Sequence, residues 1–276
     1  MEYLVLSSLF FAFSNVLWKW IVSDYLPLQV IVKRSIITCF IGIIVLIFKY
    51  DNFNFYNTIG QAVFVNLTCL IGAFGLVFMI YGIKQSSLNT FIHYSLVGST
   101  VTATYLYLVE GIIPKNYALG ISCIALGFFI FLWKQRHNTK IVSFSTHRYL
   151  FAMALCFSAT AIMQWYNLKT YDLVFLAVHQ ELVVLTVAGF MLYFLKQSPI
   201  PFFKLDYIPV MALVVSFAIV LGMYGLKVTN PFISSIISLT SSIFTIILAV
   251  ILLKEDFKWY YIVSMLTVLY GAWLLS

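Results

Sequence analysis

The chain reads as an all-α integral membrane protein: ten transmembrane helices, arranged as two inverted five-helix repeats (5+5) around a central cavity. Three observations predict this. Of 276 residues, 63% are hydrophobic and 9% charged, with a mean hydropathy of +1.01. A soluble domain is roughly half apolar and about a quarter charged, so lipid must solvate much of this surface. The apolar residues also come in continuous runs, such as 36–48 and 243–253. Spanning strands would alternate apolar and polar residues over about ten positions, and helices are the other way to satisfy the backbone in lipid. Finally, Tyr81-Gly82-Ile83-Lys84 returns as Tyr224-Gly225-Leu226-Lys227, 143 positions later.

A spanning helix needs about 20 mostly apolar residues. The first run, 2–21, has no basic leader and no small-residue cleavage site, and reads as a membrane helix rather than a removed signal peptide. "SDYLP" at 23–27 breaks the chain before 28–48, and "KYDNFNFYN" at 49–57 breaks it before 58–83. Next come 88–108 and, after "IIPKN" at 112–116, the run 116–134. The longest polar stretch, "WKQRHNTKIVSFSTHR" at 133–148, lies near the middle and reads as a linker. The first repeat is therefore placed at 1–134, the linker at 135–147 and the second repeat at 148–276. The second repeat supplies 148–167, 173–195, 207–227, 231–253 and 258–275, with breaks at "KQSPIP" (196–201) and "TNP" (229–231).

The halves agree beyond the first phrase. "YSLVGSTVTATYLYLVEG" (94–111) parallels "ISLTSSIFTIILAVILLKED" (237–256), with Glu110 and Glu255 near their ends. "ALGFFIFL" (125–132) parallels "VLYGAWLL" (268–275), and "AFSNVLWKW" (12–20) loosely matches "CFSATAIMQW" (156–165). Five helices per repeat turn the second copy upside down. Inverted repeats give two pseudo-equivalent bundles that rock around a site near the midplane. Lys84 and Lys227 then face opposite membrane surfaces, either as headgroup anchors or as gate residues at a cavity mouth.

The net charge of +7 is scattered over helix ends and forms no nucleic-acid patch; it fits cytoplasmic loops and anionic headgroups. Cys39, Cys69, Cys123 and Cys156 fall inside apolar runs without CxxC spacing and read as packing residues. HExxH, GxSxG, a Walker loop and metal-spaced clusters of His or acids are all missing, which argues against an enzyme, a metal site or another cofactor, and against self-powered ATP hydrolysis.

Polar groups inside a membrane tend to face the bundle interior or a wet cavity, so polar stripes at helical spacing nominate binding residues. The ninth helix offers Ser234, Ser238, Ser241 and Thr245; the fourth offers Asn89, His93, Thr100 and Thr104. The first offers Ser8, Ala12, Asn15 and Lys19, and the sixth Thr160, Gln164 and Asn167. Each stripe also admits a packing reading, since hydroxyls bond back to their own helix and small residues let helices approach. Lys19 can equally snorkel. Trp18, Trp20 and Trp165 suit an interface belt, and Trp18 or Trp165 could instead stack a substrate. Glu181 is the only carboxylate deep inside a predicted span. It reads either as a proton-coupling residue or as half of a buried pair with Lys33 or Arg34 of the second helix.

These residues resemble the EamA-type members of the drug/metabolite transporter superfamily. The resemblance rests on "YGIKQSS" and "YGLKVTN", on Glu110 and Glu255, and on Arg34 early in the second helix, and it covers both repeats. It implies a basket of inverted bundles with a cavity lined mainly by helices 1, 3, 4, 6, 8 and 9. It also implies export or exchange of amino acids, other metabolites or, in distant branches, nucleotide sugars and sugar phosphates. Two features depart from the pattern. Val97 and Ser242 stand where prolines are usual in helices 4 and 9, and His179-Gln180-Glu181 stands in helix 7 where helix 2 has Lys33-Arg34.

The expectation is a secondary transporter in a bacterial inner membrane, moving a small organic metabolite by alternating access as an exporter or exchanger. An amino acid or related amphiphile comes first, because the nominated residues mix hydroxyl, amide, imidazole and aromatic groups. The alternatives are a carrier of a lipid-linked, nucleotide-sugar or sugar-phosphate substrate, and a membrane scaffold or binding protein without a transport cycle. Expected partners are the small-molecule substrate and the lipid bilayer, with no nucleic acid; a monomer is compatible with this reading. Orientation is contested: Lys134, Arg136, Lys140 and Arg148 put the linker in the cytoplasm by the charge rule, whereas the resemblance implies cytoplasmic termini.

Overall fold

The computed structural model describes residues 2–48, 56, 58–111, 116–136, 143–201, 206–254 and 258–274. Among the described residues the chain forms ten α-helices: α1 (Glu2–Asp24), α2 (Pro27–Phe48), α3 (Ile59–Gln85), α4 (Leu88–Val109), α5 (Tyr117–Arg136), α6 (Phe144–Leu168), α7 (Leu173–Phe194), α8 (Ile208–Val228), α9 (Pro231–Leu253) and α10 (Trp259–Leu274). Local chemistry sets many of their starts. Ser87, Ser143, Asp172 and Asn230 N-cap α4, α6, α7 and α9, their side chains accepting first-turn N–H groups. Pro27 opens α2 and Pro231 opens α9, where a missing N–H costs nothing.

Helix takes up both ends of the predicted 135–147 linker: α5 runs to Arg136, and the Ser143 cap starts α6 at Phe144. Glu110 is the C-cap of α4, while Glu255 lies outside the described residues. All four cysteines are free; Cys39 and Cys69 are buried.

Among the described residues, six helices (α1, α2, α3, α6, α7 and α8) are long and apolar enough to cross a membrane. Large apolar side chains such as Phe40, Ile47, Phe190 and Phe217 point outward and are exposed, as in a bundle whose solvent is hydrocarbon. The chain is thus an integral, multi-pass membrane protein.

The pairing of helices has an internal regularity. α1 packs on α8 and α9, α6 packs on α3 and α4, and α2–α7, α4–α9 and α5–α10 pair with each other. Shifting every helix number by five converts α1–α8 into α6–α3 and α1–α9 into α6–α4, and maps the other three pairs onto themselves. Details repeat as well. A Cβ on Gly82 would stand 2.4 Å from Leu150 Cδ2, and one on Gly225 would stand 2.3 Å from Leu4 Cδ2. The repeated Tyr-Gly phrase therefore marks where α3 closes on α6 and α8 closes on α1. Just beyond, Ser86 Oγ donates to Gly82 O and Thr229 Oγ1 donates to Gly225 O, both at 2.7 Å.

The two ends of the bundle are defined by cross-links between elements. At one, here the α1–α2 end, Lys84 Nζ donates to Tyr25 O, Gln29 Nε2 to Ser198 O, and Thr146 Oγ1 to Gln85 Oε1. At the other, the α8–α9 end, Tyr3 packs on Tyr224 and Tyr56 on Tyr171.

Candidate functional site

A cavity of about 410 Å³ lies inside the bundle and is walled by α1, α2, α3, α4, α6, α7, α8 and α9. α5 and α10 pack on each other, with Ser264 Oγ donating to Gly127 O at 2.7 Å, and among the described residues they contribute nothing to the wall. The polar lining includes Ser14 and Asn15 of α1, Ser95 and Thr102 of α4, Ser158 of α6, Gln180 of α7, and Ser234, Ser238 and Ser241 of α9. Phe11, Trp18, Phe91, Phe157, Met79 and Met153 supply a polarizable apolar lining.

One charged centre sits in this wall. Arg34 of α2 meets Glu181 of α7 in a two-pronged contact: Nη2 to Oε2 at 2.7 Å and Nη1 to Oε1 at 3.2 Å. Ser35 Oγ accepts from Arg34 Nη2 at 3.0 Å and donates to Glu181 Oε2 at 3.2 Å. The ring of Trp18 lies 5.7 Å from the guanidinium carbon. The two charged side chains are only 1% and 5% exposed. Charges removed from water this far need pairing with good geometry, and the planar guanidinium matches the carboxylate on one edge while presenting a face to Trp18. Arg34 Nε has no hydrogen-bond partner among the described residues.

The neighbouring Lys33 points about 100° around the helix and serves a different partner. Its Nζ donates to Asp206 Oδ2 at 2.7 Å and Pro201 O at 3.2 Å, both in the connection before α8. Of the two pairings open to Glu181 in the sequence, the structure makes the one with Arg34.

The helical stripes divide unevenly. Ser234, Ser238 and Ser241 of α9 lie on the cavity wall, while Thr245 is buried and accepts from Asn15 Nδ2 at 3.4 Å. On α1 the wall is Phe11, Ser14, Asn15 and Trp18; Ser8 instead donates to Ile237 O, and Ala12 is buried. Trp18 is therefore inside the protein rather than in an interface belt. On α4 the wall is Phe91, Ser95, Gly98 and Thr102, whereas His93 is fully buried off the wall and Thr104 accepts from Tyr117 of α5. The Asn89 side chain lies outside the described residues. On α6, Asn167 Nδ2 donates to Thr68 Oγ1 of α3 at 3.1 Å and Gln164 Nε2 approaches Met223 Sδ of α8 at 3.8 Å, so that face packs between helices. Trp165 is half-buried beneath Lys169 Nζ, 3.8 Å from its ring centre.

Lys19 does not reach the cavity. Its Nζ donates to Ile83 O at 2.8 Å and Ser86 O at 2.5 Å, at the C-terminal end of α3. Lys84 and Lys227 are exposed at helix ends. The wall also departs from the six helices implied by resemblance, because α2 and α7 add Arg34, Gln180, Glu181 and Val184. Asp206 was not among the nominated residues, although it is the one carboxylate between α7 and α8.

Long apolar helices packed around an internal cavity of mixed lining fit a multi-pass membrane protein. Residues 144–276, a little under half of the chain, match the EamA-like transporter family. A solved crystal structure at 13% identity shares the fold, with a TM-score of 0.65 over 98% of this chain and 95% of the other. No curated protein matches the chain.

Proposed function

We propose that this protein is a secondary transporter that moves a small organic metabolite across a bacterial inner membrane by alternating access, as an exporter or exchanger. The observation that carries the reading is the cavity of about 410 Å³ with a buried Arg34–Glu181 pair in its wall. Its size falls within the range of small-molecule sites, about 300–1,000 Å³. Hydroxyls, amides and a charge-balanced pair beside Trp18 and three phenylalanines suit an amphiphile with a compact polar head, for which an amino acid is the first choice.

The helix pairing supports two repeats, 1–134 and 148–276, with ten crossings and opposite orientation. It also supports a division into two bundles, each drawing on both repeats: α1, α2, α8 and α9 in one, α3, α4, α6 and α7 in the other. On this division the bundles meet along α2–α7 and α4–α9, and Arg34–Glu181 bridges them beside the substrate. Binding there couples ligand contact to the relation between bundles, as alternating access requires.

The test has two stages. Purified protein is screened by thermal shift against amino acids, nucleobases, sugar phosphates and organic cations, since a ligand that binds only the folded state raises Tm with concentration. The hit is then followed as flux in proteoliposomes. Ser238→Trp fills the cavity and should reduce flux to background while the protein remains folded. Full flux in that variant would remove the cavity from the pathway.

A further inference from the structure

The bundle ends are built alike but held differently. At the α1–α2 end, α1 and α3 cap each other. Lys19 of α1 donates to Ile83 O and Ser86 O at the α3 terminus, and Lys84 of α3 donates at 3.0 Å to Tyr25 O just past α1. A cation at a helix C-terminus satisfies orphan carbonyls and opposes the negative end of the dipole. On the two-bundle reading, on which this inference rests, both contacts cross from one bundle to the other.

The same fittings recur at the α8–α9 end, where α6 stands for α1 and α8 for α3. The α8 terminus copies that of α3, down to the hydroxyl bond of Thr229 to Gly225 O. Gln164-Trp165 stands where α1 has Lys19-Trp20. Gln164 does not reach the α8 terminus, however. Its Nε2 stops at Met223 Sδ, about one turn short of Leu226, and its Oε1 has no hydrogen-bond partner among the described residues. Lys227 is exposed and forms no hydrogen bond or ion pair among them. The cavity follows the same asymmetry. Trp18 and Phe91, the wall residues towards the α1–α2 end, are 2% and 5% exposed, whereas Ser238 on the α9 wall is exposed.

We propose that Lys19 and Lys84 form a reciprocal latch that seals the cavity at the α1–α2 end, with Gln164 and Lys227 as its unfastened counterpart, so that the unliganded protein rests open towards the α8–α9 end. Replacing the lysine by an amide at one of two matching positions makes the two closures unequal. The charged latch adds charge-assisted bonds to carbonyls; the amide latch offers neutral ones, each about half as strong.

Sidedness of a cavity reporter tests this without knowledge of the substrate. The four native cysteines are replaced by alanine, Ser238→Cys is introduced, and a membrane-impermeant maleimide is applied to intact cells and to inverted vesicles. The otherwise unaltered protein should label from one face only. Lys19→Gln/Lys84→Gln should raise labelling from the other face by about tenfold or more, the equilibrium change that one charged hydrogen bond controls. Lys19→Arg should keep the original sidedness. Gln164→Lys, in a protein that retains Lys19 and Lys84, should reduce labelling from the original face by a similar factor, which keeps the test decisive if the double variant fails to fold. Unchanged sidedness in both Lys19→Gln/Lys84→Gln and Gln164→Lys would overturn the latch and leave the transport reading intact. A Ser238→Cys reporter protected from both faces would overturn the open cavity, and the latch with it.

Discussion

At the scale of single residues, Arg34 and Glu181 define what the site can tolerate. Each is the other's means of surviving burial, and both are almost fully enclosed. Arg34→Leu alone should therefore destabilise the protein by about 3–5 kcal/mol, because it strands the carboxylate. Arg34→Leu/Glu181→Leu should recover most of that loss while abolishing flux, and thermal unfolding in detergent beside a flux assay separates the two effects. A double variant no more stable than the single one would mean that the pair is not the unit that matters. Glu181 was conspicuous in the sequence as a lone carboxylate in an apolar run. Asp206 was not, because it lies in a polar connection where an acid needs no explanation until the fold brings Lys33 to it at 2.7 Å.

Elements are where sequence periodicity both informs and misleads. The helix limits were legible because caps and prolines set them locally. The polar stripes were only partly legible, since a hydroxyl or amide avoids lipid equally well against a cavity or against another helix. Ser234, Ser238 and Ser241 face the cavity, but Gln164 and Asn167 face their neighbours; nothing in spacing alone distinguishes the two cases. The repeated Tyr-Gly phrase drew attention to its lysines, yet its glycines do the packing. Gly82→Ala and Gly225→Ala should each cost about 1–3 kcal/mol, because the added methyl meets Leu150 or Leu4, both buried. Leu150→Ala should cost about 2–5 kcal/mol alone, but Gly82→Ala/Leu150→Ala should cost less than the sum, since the new methyl enters the space vacated. Additive Tm shifts would place the two residues out of contact.

On the scale of the whole molecule, the proposed division into bundles makes a prediction about cross-links. A disulfide within one bundle, Thr68→Cys/Asn167→Cys between α3 and α6, should leave flux the same whether oxidised or reduced; the native side chains already touch at 3.1 Å. One between bundles, Lys19→Cys/Ser86→Cys, should stop flux when oxidised and release it on reduction. Each variant is its own control. Equal sensitivity of both would indicate that α3 and α6 do not travel together.

The closely packed helix pairs then acquire a task in the proposed cycle. α5 and α10 pack closely on each other and touch α4, and α2 and α7 form a second close pair. Two bodies that tilt against each other must share a line along which neither slides far, and dense contacts can persist only near that line. In the proposed alternating-access cycle the two close pairs would mark its ends and act as a fulcrum, so that a small tilt about the middle would open one mouth and shut the other. On that reading, repacking near Arg34 would be amplified at the extremities, where Lys19 reaches the end of α3.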